Sequence, residues 1–282
     1  MTIPLIQAAC DTLGLSYTFI DEAKTFIKIS LKNGSSHLCI ANNLGLNTEV
    51  VEKICKDKVY TYQLLHQHLQ TPRTTSYIDP NPPEIYQDFV TFSSVAAIVA
   101  DIIKKNSLPV VLKPNSKSMG MNVFLCATNE EITTAVTEIF NKASYKYDHV
   151  LLVQEAVAIH KEFRVLVYKG KIQFIYQKDN TLGDALFEGN LSPLHFANAR
   201  AVLLDQSQKA DADIYAGITA FITPLFEQLD LVYAGLDITQ DASGQFCLLE
   251  INSKPGFGYF TRDNGTQQVI TMFEHIFSDL GS

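Results

Sequence analysis

Apolar residues recur at helical spacing through "PLIQAACDTLGL", and the pattern stops at Gly14, where a helix end is expected. The next stretch, "YTFIDEAKTFIKISLKNGSSHLCIA", breaks into short alternating runs between polar turns. Asn33-Gly34 is a strong hairpin signal within it. Together these predict a small N-terminal α/β unit, too short to be an ordinary doubly wound nucleotide-binding lobe. From Asn47 to Leu69 the spacing is helical again, and "TPRTTSYIDPNPPEIY", with Pro72, Pro80, Pro82 and Pro83, reads as a boundary loop. Beyond it come a helix around Ser93 to Lys105, a strand "LPVVLKP", a polar loop, a strand "NVFLCA", a helix from Asn129 to Asn141 and a strand "HVLLVQEAV". "KEFRVLVYKGKIQFIYQKD" alternates strictly on both sides of Lys169-Gly170 and predicts an antiparallel hairpin. After a polar excursion, a helix from about Asp211 to Leu229, with a kink expected at Pro224, leads to a second hairpin, "VYAGLDITQ" and "QFCLLEIN" around "DASG". The mixture predicts an α+β (α/β) architecture.

Composition narrows the classes. A chain of 282 residues, 46% of them hydrophobic, is long enough to bury a large core. Lys and Arg number 22 against 30 Asp and Glu, a formal charge of −8, which argues against a broad nucleic-acid surface and restricts any anion site to a local one. Five cysteines, Cys10, Cys39, Cys55, Cys126 and Cys247, stand far apart without metal-ligand spacing and suit reduced, structural thiols. No secretory leader and no apolar run of membrane-spanning length is evident, so the expectation is a soluble cytoplasmic protein.

Two stretches interrupt their apolar runs with chemistry. In "CLLEINSKPG" Glu250 and Asn252 lie two apart and so share a face of the strand, and Asp237 on the preceding strand comes level with them across the hairpin. Two carboxylates and an amide oxygen form a hard donor set of the kind that holds Mg²⁺ shared with phosphate oxygens; equally, they read as solvated strand-end charges and a turn residue. In "VVLKPNSKSMGMNV" Lys113 ends an apolar strand, and Ser116, Lys117, Ser118, Met119 and Gly120 follow in a loop. Such a loop can fold over a polyphosphate, or serve as a plain surface turn; the Walker pattern is absent.

The series Lys58, Lys113 with its loop, "QEAV", "EFRVLVYKGKI", Asp237 and "EINSKPG" resembles the ATP-grasp superfamily over about Cys55 to Phe260. Within it, the likeness is to carboxylate-amine ligases such as the ribosomal-protein glutamate ligases, cyanophycin synthetase, glutathione synthetase and D-alanine–D-alanine ligase. The resemblance implies two α+β lobes clasping ATP, here residues 72–155 and 156–282 of an ATP-grasp domain at 56–282, behind a shortened N-terminal lobe at 1–55. It implies that Lys58, Lys113 and Ser118 contact phosphates, that Gln154, Glu155, Ala156 and Val157 form the adenine hinge, and that Glu162 binds the ribose. Asp237, Glu250 and Asn252 carry two magnesium ions by the same likeness, with manganese as an alternative. Arg164 and Lys178 fall where a basic group meets the transferred phosphate or a substrate carboxylate, and Asn190 where an asparagine orients substrate; ordinary strand charges are the other reading of Arg164 and Lys178. Three features depart from the family: Lys117 and Asn122 occupy places where glycine is usual, and Lys254 replaces a small residue beside the expected metals.

The activity implied is ATP-dependent joining of a small-molecule carboxylate to an amine, both amino acids or peptides, through an acyl-phosphate. Dimers are common in this group, so a homodimer is the implied assembly. Two alternatives stand beside it: a nucleotide-binding sensor or assembly protein on the same scaffold, and a small-molecule kinase.

Overall fold

Three antiparallel sheets organise the described residues, which in this computed structural model are 2–117, 122–179 and 200–282. In the N-terminal unit, helix α1 (Thr2–Leu13) precedes β1 (Tyr17–Phe19), β2 (Phe26–Ser30) and β3 (Ser36–Ile40), which pair in that order. Gly14 ends α1 at a φ of 66°, and Gly34, with a φ of 84°, turns the chain between β2 and β3 as the Asn-Gly signal implies.

The expected helix from Asn47 to Leu69 is two helices, α2 (Glu49–Lys56) and α3 (Lys58–Leu65). Thr48 caps the first. Asp57 breaks the run by taking an extended backbone and accepting a hydrogen bond from Tyr60 N at 3.0 Å, which makes it the N-cap of the second. The break leaves Lys58 as the first residue of α3.

A four-stranded sheet follows, in the order β4 (Thr74–Ile78), β7 (Val150–Glu155), β5 (Val110–Pro114), β6 (Phe124–Cys126). Helices α4 (Val95–Lys105) and α5 (Asn129–Ile139) cover one face, burying Ile98, Ile102, Ile132 and Val136 against Val110, Leu112, Leu151 and Val153. The proline-rich segment expected to be a loop supplies β4, an edge strand; its prolines flank the strand and do not interrupt its ladder.

The larger sheet has the order β10 (Arg200–Leu203), β9 (Lys171–Asp179), β8 (Lys161–Tyr168), β11 (Tyr233–Gln240), β12 (Phe246–Asn252). Lys169 and Gly170 join β8 to β9 with φ of 46° and 73°, the doubly positive turn that matches strand twist. Phe163, Val165, Ile175, Leu236 and Ile238 pack on α6 (Lys209–Gln228), which runs through Pro224. The edge strand β10 is shielded by α7 (Gly258–Asn264): Ala201 N donates to Asp263 and Leu203 N to Asn264, occupying groups that would otherwise invite another strand.

The final helix, α8 (Gln267–Leu280), lies on α1 and completes a core shared by the N-terminal unit and the large sheet. Ile6, Ala9, Ile27 and Ile29 meet Phe273, Ile276, Tyr168 and Phe174 there. All five cysteines are buried free thiols, each pushed up by burial, four of them to about 12. No helix among the described residues is long and apolar enough to cross a membrane.

Asn47 fastens the linker to the large sheet: its Oδ1 accepts from Val232 N and Tyr233 N at 3.0 and 3.1 Å, and its Nδ2 donates to Tyr233 O at 2.7 Å. Asn47→Ala strands these groups and is expected to cost about 2 kcal/mol in urea unfolding, the scale of buried unsatisfied polar groups.

Candidate active site

Strand alternation divides one face of the large sheet into an apolar half and a polar half. Leu166, Tyr168, Phe174, Tyr176 and Tyr233 are covered by the N-terminal unit and α8. Further along the same face, at period two, stand Glu162 and Arg164 of β8, Lys178 of β9, Asp237 of β11, and Glu250 and Asn252 of β12.

Four of these form a buried quartet. Arg164 is paired directly with Asp237 across β8 and β11, and its Nε and Nη2 donate to Oδ1 and Oδ2 at 2.7 and 2.9 Å. Lys178 Nζ sits between Asp237 Oδ1 at 2.7 Å and Glu162 Oε1 at 2.5 Å. All four side chains are no more than 15% exposed, and two cations meet two anions. Burial alone would raise the Asp237 carboxyl, but Arg164 and Lys178 reverse that and hold it down to about 2. Burial opposes the Lys178 charge too, and Asp237 and Glu162 keep its pKa above the ordinary value. Glu162 moves up, because burial outweighs the one cation it touches.

Glu250 lies directly opposite Asp237, and Asn252 opposite Gly235. The ladder slips between Asp237 and Ile238, so that Leu249 is an extra residue beside Glu250, a bulge of the kind that re-aims side chains next to sites. The donor set fits a hard divalent ion. Among the described residues, three N–H donors use three of the lone-pair positions of Asp237 and leave one on Oδ2; Asn252 Oδ1 accepts from Lys254 N at 3.0 Å and from no other; Glu250 has Lys58 Nζ at 3.5 Å. Lys254 itself points elsewhere: its Nζ pairs with Glu52 of α2 at 2.8 Å, so the charge expected beside the metal ligands ties the turn to that helix instead.

The small sheet contributes the opposing wall. Along β5, Val110, Leu112 and Pro114 go into its core, which leaves Lys113 on the other face with Gln154 of β7. Burial lowers the Lys113 ammonium to about 8, with Lys58 adding to the effect and Glu250 and Asp237 partly offsetting it. Lys58 Nζ donates to Asn115 O and Lys117 O at 3.2 and 2.8 Å, and Asn115 Oδ1 accepts from Val59 N. Ser116 donates through N and Oγ to Asp148. The stem of the lysine loop is thus pinned to α3 on one side and to the sheet on the other. Asn115 and Asp148 did not stand out in the sequence; an asparagine just after the strand in "LKPNS" is the signal that pointed to the first.

Gln154 is buried, with Nε2 donating to Thr74 Oγ1 at 2.7 Å, and Glu155 Oε1 accepts from Arg73 N at 2.8 Å. Ala156 and Val157 follow as irregular backbone between β7 and β8, the connection that joins the two sheets. A crevice is lined by Lys58, Tyr62, Thr71, Gln154, Leu249 and Glu250, and among the described residues Thr71 Oγ1 is buried there without a partner. Asn122, in place of a glycine, takes a φ of 54°, a conformation asparagine tolerates better than most residues. Ser118 and Asn190 lie outside the described residues.

Two antiparallel sheets hinged at one connection, with lysines on one and an acidic strand pair on the other, define a nucleotide-clasping class of protein. The chain belongs to the RimK-like ATP-grasp domain family, whose model matches residues 55–276. A D-alanine–D-alanine ligase of Actinobacillus pleuropneumoniae serotype 5b (strain L20) is 28% identical over 160 residues, 55% of this chain and 47% of that protein. The chain therefore spans about half the length of the curated relatives it matches. Among solved structures, the VanG D-Ala:D-Ser ligase from Enterococcus faecalis superposes with a TM-score of 0.54 at 14% identity, over 79% of this chain and 62% of that one. An ATP-grasp RimK domain protein from Sphaerobacter thermophilus DSM 20745 gives 0.51 at 16%, over 81% and 70%. These likenesses establish an ATP-grasp fold of the α+β class.

Arg164→Met leaves Asp237 with Lys178 alone. The expected loss at pH 7 is roughly 3–5 kcal/mol in chemical unfolding, the cost of unpairing a buried charge. The deficit should shrink below about pH 4, where the carboxyl of the variant takes up a proton and the native one does not. An equal loss at both pH values would separate the destabilisation from that charge.

Proposed function

We propose that the protein is an ATP-dependent ligase that joins the carboxylate of an amino acid or peptide to an amine, releasing ADP and phosphate. The observation that carries this reading is the direct cross-strand pairing of Asp237 with Glu250, with Asn252 two residues on and Lys58 3.5 Å from Glu250. That arrangement sets an oxygen-rich cation site beside Lys58 of α3 and toward Lys113 of the small sheet. The ligases among the relatives and fold neighbours support the same class of chemistry. In this reading residues 72–155 and 156–282 are the two lobes of the clasp and residues 1–55 an abbreviated front unit.

In the proposed reaction a substrate carboxylate oxygen bonds to the γ-phosphorus as the bond to ADP breaks. The amine then attacks the acyl carbon, phosphate leaves, and the amine proton passes to solvent or phosphate. Asp237, Glu250 and Asn252 are the residues that would hold magnesium, which when bound neutralises phosphate charge. Lys113 and Lys58 bring positive charge to the phosphates from the opposing wall. Arg164 and Lys178 offer charge at the transferred group from positions fixed by Asp237 and Glu162, so little reorganisation is needed as charge spreads over the equatorial oxygens. Gln154 to Val157 form the adenine side, where from Ala156 on the backbone between the sheets is free of strand pairing. Glu162 reaches the ribose in this reading only by sharing itself with Lys178.

Glu250→Gln keeps the shape and removes a negative ligand, and should lower ADP release with magnesium and a panel of amino acids and dipeptides by at least about 100-fold. Near-normal turnover would remove the acidic pair from the site, and a phosphoester product instead of an amide would replace the ligase reading with a kinase. A pH series tests Lys113 separately. With its ammonium lowered to about 8, it is charged below that pH and neutral above it, so magnesium-ATP affinity should weaken as pH rises from 7 to 9. In Lys113→Met the affinity should be weaker at pH 7 and that part of the slope should vanish; an unchanged slope would exclude Lys113.

A further inference from the structure

A glycine in the middle of a fully paired strand gives up packing and backbone order, and it is kept where another group must come close. Gly235 is such a residue, paired on both sides in β11, with Leu166 of β8 and with Asn252 of β12. A Cβ at Gly235 would lie 3.0 Å from Arg164 Cδ, 3.3 Å from Arg164 Nη1 and 3.1 Å from Pro255 Cβ. The Arg164 stem therefore lies flat over the bare backbone of β11, and Pro255, from the turn after β12, closes over the same spot. Neither neighbour can yield cheaply. Arg164 is fixed at its far end by two hydrogen bonds to Asp237, and Pro255 is a buried ring in a turn held by the Lys254 N to Asn252 bond and the Lys254–Glu52 pair.

We propose that Gly235 is a positioning residue of the nucleotide site: its missing side chain is the berth in which Arg164 lies, keeping Nε and Nη2 on Asp237 and leaving Nη1 over Gly235, the residue paired with Asn252. Nη1 donates no hydrogen bond among the described residues, so of the three guanidinium nitrogens it is the one with both protons left for an anion. Any side chain at residue 235 lifts the stem and forces a choice between the bond to Asp237 and the placement of Nη1. The proposal rests on the nucleotide-binding reading for the identity of the anion, a terminal phosphate, but the berth itself does not.

The test is Gly235→Ala, read in two ways. First, the Nε–H resonance of Arg164, assigned by its loss in Arg164→Ala, should exchange with solvent slowly in the native protein and at least about tenfold faster in Gly235→Ala, because the bond to Asp237 is what shields that proton. Unchanged exchange would overturn the berth whether or not the protein binds any nucleotide. Second, a nonhydrolysable ATP analogue with magnesium should bind Gly235→Ala roughly tenfold more weakly while ADP affinity moves less than twofold. In an Arg164→Ala background the added Gly235→Ala should change neither affinity by more than twofold. Independent losses in the double variant would show that Gly235 acts apart from Arg164 and would overturn the proposal. If native protein binds neither nucleotide, the ligase reading fails and the exchange measurement alone decides the berth. Should Gly235→Ala not fold, the Arg164→Ala/Gly235→Ala pair, relieved of the 3.0 Å contact while the 3.1 Å contact with Pro255 stays, should fold again; a pair that still fails to fold while Arg164→Ala folds would overturn it.

Discussion

The quartet of Glu162, Lys178, Asp237 and Arg164 is the constraint from which the rest of the site follows. Four charges with little solvent access are tolerable only because each touches an opposite one, and in low dielectric the pairing enforces geometry as well as neutrality. Strands β8, β9 and β11 must stay in one register for it to form, since a slip of a single residue would send Arg164 or Asp237 into the apolar layer against α6. The surrounding hydrophobic alternation holds that register. The same residues that make the sheet foldable thus fix where its charges stand.

This explains why the site occupies half of one face and not all of it. The N-terminal unit and α8 seal the apolar half, where Tyr168, Phe174 and Tyr233 lie, and the polar half is left to face the small sheet. Water is thereby kept from the flank of the quartet nearest Tyr176, whose own hydroxyl is pushed up by burial, with Arg164 and Lys178 pulling the other way. The N-terminal unit has a structural task, then, whatever else it does: it borrows α8 to build a core that its own three strands and single helix are too few to close.

Much of the large sheet and its acidic strand pair was legible from period two alone, because alternation fixes which side chains share a face and a hairpin fixes which come level. Asp237 opposite Glu250 is the clearest case. What escaped had physical reasons. The capping side chain of Asp57 split one apparent helix into two without disturbing its hydrophobic spacing. Strand β4 hid among prolines that flank it, and β10 is so short that its partners are side chains of α7 as much as β9. Lys254 illustrates a general limit: proximity in sequence to Asn252 suggested proximity to the metal ligands, whereas the turn carries its ammonium out to Glu52. The ion pairing inside the quartet was equally invisible, since no spacing says that two cations will be satisfied by two anions before any ligand arrives.

That prior satisfaction has a chemical consequence. A basic residue waiting alone in a buried cleft would lower its own charge, as Lys113 does by moving down to about 8; Arg164 and Lys178 keep theirs because Asp237 and Glu162 hold them. In the proposed reading an incoming polyphosphate meets two kinds of cation: one on the small sheet whose charge strengthens as the anion approaches, and a pair on the large sheet whose charge is already in place. The first kind favours binding that closes the two sheets together. The second is suited to charge that develops during the reaction, because a group whose orientation is set beforehand spends no free energy on turning toward it. In that reading, dividing the two tasks between two sheets joined at the backbone after Glu155 lets closure and chemistry be tuned separately.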